Sequence, residues 1–105
     1  MAHFVLDSYA LLAFFKNEEG GEKVEQLLNE AAADKHELYI TCINAGEVYY
    51  MSSRKDGTAK AEFVWKAMRQ FPIHIIDADL EFTLTAAKLK AKYSSSYADA
   101  FSAAL

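Results

Sequence analysis

The chain has 105 residues, enough for one small domain with a single core, so we expect residues 1–105 to form one domain. Apolar residues make up 52% of the chain and charged residues 25%, which excludes a disordered protein. The formal net charge of −4 argues against non-specific nucleic-acid binding, which depends on neutralising phosphates. It does not exclude a nuclease, because bound metal ions can supply local positive charge.

The cysteine content and the apolar runs indicate a cytoplasmic protein. Cys42 is the only cysteine and has no internal disulfide partner. Asp7 interrupts the N-terminal apolar stretch before it reaches the length of a secretory leader. The apolar run over residues 9–15 is too short to span a bilayer, so we expect no membrane association.

Three short apolar strands alternate with helices along the chain. Strands are predicted at residues 3–6, 38–40 and 73–76, the last of them after Pro72, which ends the preceding helix. Helices are predicted at residues 8–15, 22–33, 42–53, 59–70 and 80–93 and from residue 97 onward, with Thr41, Asp79 and Ser96 as N-caps. Strands separated by helices imply a parallel sheet covered on both faces, which is a three-layer α/β fold.

Two helices are predicted to carry large apolar surfaces. The helix at residues 8–15 is apolar nearly all round, so we expect it to be buried, partly against a partner chain. The helix at residues 80–93 has one apolar stripe formed by Leu80, Leu84, Ala87 and Ala91.

Three acidic residues stand where a metal-dependent phosphodiesterase would need them. Asp7 ends the first strand, at the edge of the sheet where α/β proteins bind ligands. Glu47 shares a helix face with the apolar side chains of Ile43 and Tyr50. Asp99 lies in the first turn of the last helix. Because hard divalent cations prefer clustered oxygen ligands, we predict that the three carboxylates converge on a metal site.

Each of these acidic residues also has a purely structural interpretation. Asp7 can N-cap the helix that follows it. Glu47 can mark the one solvated strip of an otherwise apolar helix. Asp99 lies three residues after Ser96 in an S-x-x-D capping pattern. The sequence leaves these alternatives open.

The basic residues fall into two groups, one near residues 54–60 and one near residues 88–92. Most such groups are solvated faces of helices. A sharper hypothesis is contact with an RNA backbone through Arg54, Lys55, Lys60 and Lys90.

Three segments taken together resemble the PIN domain, and more narrowly the VapC-type toxins of bacterial and archaeal toxin–antitoxin pairs. They are FVLDS at residues 4–8, INAGEVYY at residues 43–50, and KAKY with SYADAF at residues 90–101. The resemblance runs from the first strand to the last residue. Each segment is weak by itself, but the three in this order form a specific pattern.

The resemblance implies an endoribonuclease that depends on Mg²⁺ or Mn²⁺. The acidic positions of the family match Asp7, Glu47 and Asp99, which would be the metal ligands and catalytic residues. Its Ser or Thr after the first Asp matches Ser8, which would orient a ligand or a water. The partners implied are an RNA substrate, a cognate antitoxin and a second toxin subunit in a homodimer.

One departure from the family pattern affects the expected activity. Members of the family continue beyond the last helix into another parallel strand and commonly a further acidic residue, whereas this sequence ends inside that helix. We therefore expect a C-terminally incomplete PIN-like domain. The alternative function is a non-catalytic PIN-like module that acts by dimerisation or antitoxin binding.

Two other phosphoryl-transfer classes fit the sequence less well. A haloacid-dehalogenase-like phosphatase needs D-x-D after the first strand, and Tyr9 stands in the third position. A receiver domain needs a pair of acidic residues near the end of that strand, which this chain lacks.

Overall fold

The computed structural model describes residues 2–105 and has the alternating order of strands and helices that the sequence predicts. The strands are β1 (Ala2–Val5), β2 (His36–Thr41) and β3 (Ile73–Ile76). The helices are α1 (Ser8–Phe15), α2 (Gly21–Ala32), α3 (Cys42–Asp56), α4 (Thr58–Gln70), α5 (Leu80–Lys92) and α6 (Tyr97–Ala104). Within residues 2–105, each helix is too short or too polar to cross a membrane.

The sheet is parallel, with β2 between β1 and β3. Val5 pairs with Tyr39, and the ladder extends one step further because the Leu6 N–H donates to the Tyr39 carbonyl at 2.8 Å. The carboxyl ends of β1 and β2 therefore lie side by side. This register brings Asp7 and Thr41 to the same edge of the sheet.

The main core lies between one face of the sheet and helices α1 to α4. Leu38 and Ile40 on β2 point into it and are fully buried. They pack with the buried apolar residues Leu6, Leu11, Leu12, Val24, Leu28, Ala31, Ala45, Val48, Val64 and Met68. Helices α5 and α6 form a second, smaller cluster around Ala86, Ala100 and Phe101, and α6 also contacts β2 and α3. The predicted PIN-like α/β fold with a short parallel sheet is confirmed.

The apolar stripe predicted on α5 points to solvent. Leu80 is 87% exposed and Leu84 is 54% exposed. The helix instead buries Ala86, with Phe82 and Leu89 partly buried beside it. Apolar periodicity identifies candidate faces of a helix, but the packing partner decides which face is covered, and α6 meets the face of Ala86.

Helix α1 is buried on one side only, so the prediction of all-round burial was wrong. Leu11 and Leu12 are buried, whereas Tyr9 is largely exposed. Phe14 and Phe15 are half-buried because both pack their rings against Phe71. The chain itself thus covers most of the apolar surface that was expected to need a partner.

Candidate active site

Asp7 follows β1 and is half-buried. Its carboxylate Oδ1 accepts a hydrogen bond from the Ala10 N–H at 2.8 Å, so the residue N-caps α1. The capping role that the sequence left open is therefore real. The cap engages one carboxylate oxygen and holds a negative charge at the carboxyl edge of the sheet.

Glu47 lies on the half-exposed side of α3. Its helix neighbours Ile43 and Tyr50 are exposed, so the face they share is not part of the core. Its Oε1 accepts from the Ser8 hydroxyl, and its Oε2 accepts from the Tyr50 hydroxyl at 3.4 Å. The partial exposure of Glu47 and its neighbours therefore agrees with the structural interpretation, in which Glu47 marks a solvated strip of the helix. The bond to Ser8 nevertheless turns one carboxylate oxygen toward the end of β1.

Asn44, which was not among the residues predicted to be functional, connects the two sides of this site. Its side chain is buried, and its Nδ2 donates to Ser8 Oγ at 3.3 Å and to the Ala98 carbonyl at 3.2 Å. Its Oδ1 accepts from Ser102 Oγ at 3.1 Å and from the Thr41 hydroxyl. The amide therefore ties the start of α1 and the start of α6 to the start of α3.

The Ser8 hydroxyl is buried between two acceptors. Its Oγ lies 3.1 Å from the Asn44 carbonyl and also contacts Glu47 Oε1. A hydroxyl has one proton, so it donates to one of them at a time. The bond to the carboxylate is the stronger of the two because its acceptor is charged. Ser8 is thus placed to hold the Glu47 carboxylate in one orientation.

Asp99 is exposed in the first turn of α6. Its N–H donates to Ser96 Oγ at 3.0 Å, which confirms Ser96 as the N-cap. That bond uses the main chain of Asp99 and not its carboxylate. The preceding residue, Ala98, is the one whose carbonyl Asn44 holds, so the main chain next to Asp99 is anchored to α3.

Hydrogen bonds thus join the three acidic positions through their neighbours. Across residues 2–105, no three His, Cys, Asp or Glu side chains lie close enough together to form a metal-binding group. The atoms near the end of β1 that could bind a metal ion are carboxylate and hydroxyl oxygens, which are the ligands that Mg²⁺ and Mn²⁺ prefer. The chemistry of these oxygens therefore fits such an ion, but within residues 2–105 the structure does not bring all three carboxylates into one metal-binding group.

The four basic residues proposed to contact RNA lie on three different helices. Arg54 and Lys55 are in the last turn of α3 and line a groove of about 360 Å³ together with Tyr9, Glu47, Tyr50 and Met51. Lys60 lies on α4 over the Phe63 ring, and Lys90 is in the last turn of α5. A groove of about 610 Å³ on α4 is larger but contains none of the three acidic residues. Only Arg54 and Lys55 line the same groove as a candidate acid.

Comparison with known families agrees with the fold. The PIN domain profile matches residues 4–105. The chain belongs to the PIN domain family. Membership of this family supports a nuclease as the kind of enzyme. PIN nucleases generally use divalent metal ions. Among curated proteins, none matches this PIN domain significantly.

Two solved structures are similar to this PIN domain. One is VapC20 of Mycobacterium tuberculosis, a toxin that cleaves the sarcin–ricin loop, with 14% identity and a TM-score of 0.73 over 97% of this chain and 78% of that chain. The other is VapBC2 of Rickettsia felis bound to a DNA fragment from their promoter, with 16% identity and a TM-score of 0.69 over 99% of this chain and 79% of that chain. At these identities the likeness shows the fold.

Proposed function

We propose that this PIN domain is a cytoplasmic metal-dependent endoribonuclease of the toxin type, which hydrolyses RNA phosphodiester bonds and is neutralised by a cognate antitoxin. The observation that carries the proposal is the network centred on Asn44. It links Ser8, Glu47 and the main chain beside Asp99 at the carboxyl edge of the sheet. Family membership supports the nuclease chemistry.

Each residue of the site has a distinct role in this proposal. Asp7, Glu47 and Asp99 would hold Mg²⁺ or Mn²⁺. When bound, such an ion lowers the pKa of a coordinated water and stabilises negative charge on the phosphate. Ser8 holds the Glu47 carboxylate in place, and Asn44 fixes Ser8. Arg54 and Lys55 in the groove beside Glu47, together with Lys60 and Lys90, supply positive charge for the RNA backbone on a chain of net charge −4.

The decisive experiment replaces Asp7 by Asn. Asn caps helices as well as Asp does, so Asp7→Asn should leave stability nearly unchanged while removing a charged ligand. Cleavage of single-stranded RNA with added Mn²⁺ should fall by more than the roughly 10–100-fold typical of losing an outer-shell partner. A chelator should stop the wild-type reaction.

Asp79 provides a matched control for that experiment. It N-caps α5 through the same kind of bond, from the Phe82 N–H to its Oδ1 at 2.8 Å. Asp79→Asn should cut RNA at the wild-type rate. Cleavage that survives both Asp7→Asn and the chelator would refute the metal-dependent mechanism.

The proposed protein partners are an antitoxin and a second copy of this chain. The likeness to VapBC2 supports the antitoxin. For the homodimer, exposed apolar side chains on α5 offer an interface, among them Leu80 and Leu84. Light scattering that shows a monomer at high concentration would refute the homodimer.

The second candidate is a non-catalytic PIN-like module that acts only by binding. The absence of a metal-binding group of three side chains within residues 2–105 favours it. Such a module would cut RNA in none of its forms, with or without Mn²⁺, and would still dimerise or capture an antitoxin.

A further inference from the structure

A groove of about 360 Å³ opens beside the candidate active site. Its walls are formed by Tyr9 from α1 and by Glu47, Tyr50, Met51, Arg54 and Lys55 from α3. Its volume is within the range of about 300–1,000 Å³ that is usual for sites binding small ligands. Two aromatic rings and two cations around one groove form a combination typical of single-stranded nucleic-acid sites.

Glu47 belongs both to the groove and to the candidate active site. Its Oε2 accepts from the Tyr50 hydroxyl at 3.4 Å, on the groove side. Its Oε1 accepts from Ser8, which follows Asp7 at the end of β1. A ligand in the groove would therefore lie next to the carboxylate that we propose as a metal ligand.

The groove presents its aromatic rings to solvent. Tyr9 is 63% exposed and Tyr50 is 46% exposed. The Arg54 guanidinium lies 5.2 Å from the centre of the Tyr50 ring, in cation–π contact. The rings thus offer flat apolar surface that nothing within residues 2–105 fully covers.

The cations of the groove are available to an anion. In the part of the chain that the structure describes, neither Arg54 nor Lys55 forms a salt bridge. Both stand in the last turn of α3, where positive charge also favours the helix dipole. The dipole accounts for positive charge there, but it gives no reason for an exposed tyrosine on each side of the groove.

We propose that this groove is a nucleotide subsite for single-stranded RNA, an inference that rests on the proposed ribonuclease function. An unstacked base lies against the rings of Tyr9 and Tyr50, and its phosphate meets Arg54 and Lys55. Stacking of this kind requires a base whose faces are free, which double-stranded RNA does not offer. The subsite positions the nucleotide next to the bond that is cut.

The test measures binding of a labelled oligoadenylate to the full chain in the presence of chelator, so that no cleavage occurs. Tyr9→Ala and Tyr50→Ala should each weaken binding by about 5- to 150-fold, the range expected for one base–aromatic stack. Tyr50→Phe should bind like wild type, because it keeps the ring and loses only the bond to Glu47. A duplex of the same length should bind more weakly than the single strand.

Phe63 is the matched control for the two tyrosines. Its ring is 61% exposed, and the Lys60 ammonium lies 5.3 Å from its centre, so it repeats the aromatic–cation pair away from Glu47. Phe63→Ala should leave oligoadenylate binding unchanged. An equal loss in Phe63→Ala would overturn the subsite, since it would show that any exposed ring contributes as much.

A second variant keeps the test valid if a tyrosine variant fails to fold. Arg54→Gln should lower the slope of log affinity against log salt by about 0.7, as expected for one lost phosphate contact to a single strand. An unchanged slope, no binding of the single strand by wild type, or equal binding of the duplex would each overturn the subsite. The subsite would also be overturned if the tyrosine variants lost antitoxin capture but still bound RNA like wild type.

These outcomes are separate from those of the cleavage assay. If the protein binds RNA in the groove and cuts none, the ribonuclease proposal fails and the binding result stands. If it cuts RNA and the tyrosine variants bind and cut like wild type, only the subsite fails.

Discussion

Asn44 shows how one buried side chain can organise a site. Its amide group forms hydrogen bonds with four partners, two of them on α6, 54 and 58 positions away. A buried amide with all its groups paired is stable, but the loss of one partner leaves the others unsatisfied. The position of Asp99 relative to Glu47 therefore depends on a residue that carries no charge.

We predict that Asn44→Ala destabilises the fold by about 1–3 kcal/mol, because it leaves the Ala98 carbonyl and the Ser102 hydroxyl without their partner. It should also lower RNA cleavage, since Ser8 loses the donor that fixes it. Urea unfolding and cleavage assays measure the two effects. Asn29→Ala, at an exposed position on α2, should change stability by less than about 0.5 kcal/mol. Equal effects of the two substitutions would contradict the role of Asn44.

At the scale of the elements, the close approach of α1 and α2 depends on one glycine. A Cβ at Gly21 would lie 2.8 Å from the carbonyl oxygen of Ala13, which is main chain and cannot rotate away. The two helices cannot pack in this way with a larger residue at the start of α2.

We predict that Gly21→Ala destabilises the protein, because α2 must shift away from α1. Overpacking of this kind costs about 1–3 kcal/mol. Gly46 is the matched control, since a Cβ there would meet nothing within 4 Å in the interior of α3. Gly46→Ala should stabilise the protein by up to about 1 kcal/mol through helix propensity. Thermal melting compares the two variants. A rise in Tm for both would show that the packing of α1 against α2 does not require glycine at position 21.

The contact between α2 and β2 should make stability depend on pH. Hydrogen bonds from Gln26, at 2.9 Å, and from His36 hold the pKa of Glu30 below its ordinary value of 4.5. The unfolded chain therefore binds this proton more readily than the folded protein does. The contribution of Glu30 to stability is complete above pH 4.5 and is lost as the pH falls through that value and then through the lowered pKa.

We predict that Glu30→Gln flattens the loss of stability on acidification below about pH 5, because the variant has no carboxylate to protonate. Denaturant unfolding between neutral and acidic pH measures the slope. Glu25→Gln, at an exposed position on the same helix, should keep the wild-type slope. A steeper acid dependence in Glu30→Gln than in wild type would show that the sign is wrong.

At the scale of the whole molecule, the candidate site lies where two packing units meet. The main core positions β1, α1 and α3, and thereby Asp7 and Glu47. The smaller cluster of α5 and α6 carries Asp99 and contacts the rest through β2, α3 and the amide of Asn44. An ion bound by all three carboxylates would join the two units.

We predict that millimolar Mn²⁺ raises Tm, because an ion that binds only the folded state stabilises it by about 2.7 kcal/mol at a hundred times its Kd. Differential scanning fluorimetry with and without Mn²⁺ measures the shift. Glu47→Gln should lose most of the shift, and Glu25→Gln should keep it. A shift that is absent in wild type, or equal in Glu47→Gln, would count against metal binding at this site.

The amino-acid sequence by itself determined the order of strands and helices and most of their ends. Thr41, Asp79 and Ser96 cap the helices as predicted, because a cap is a contact between residues three positions apart. Asp7, Glu47 and Asp99 could be proposed from their places at the end of a strand and on helices. All of these features depend on neighbours along the chain, so a local pattern is enough to predict them.

The three-dimensional packing determined which surfaces are covered and which distant residues meet. It exposes Leu80 and Leu84, brings Tyr9 of α1 beside Tyr50 of α3, and joins Asn44 to Ala98 and Ser102. No local pattern predicts these contacts, because each depends on the angle and depth at which two elements pack. Those quantities are set by the fit of many side chains at once.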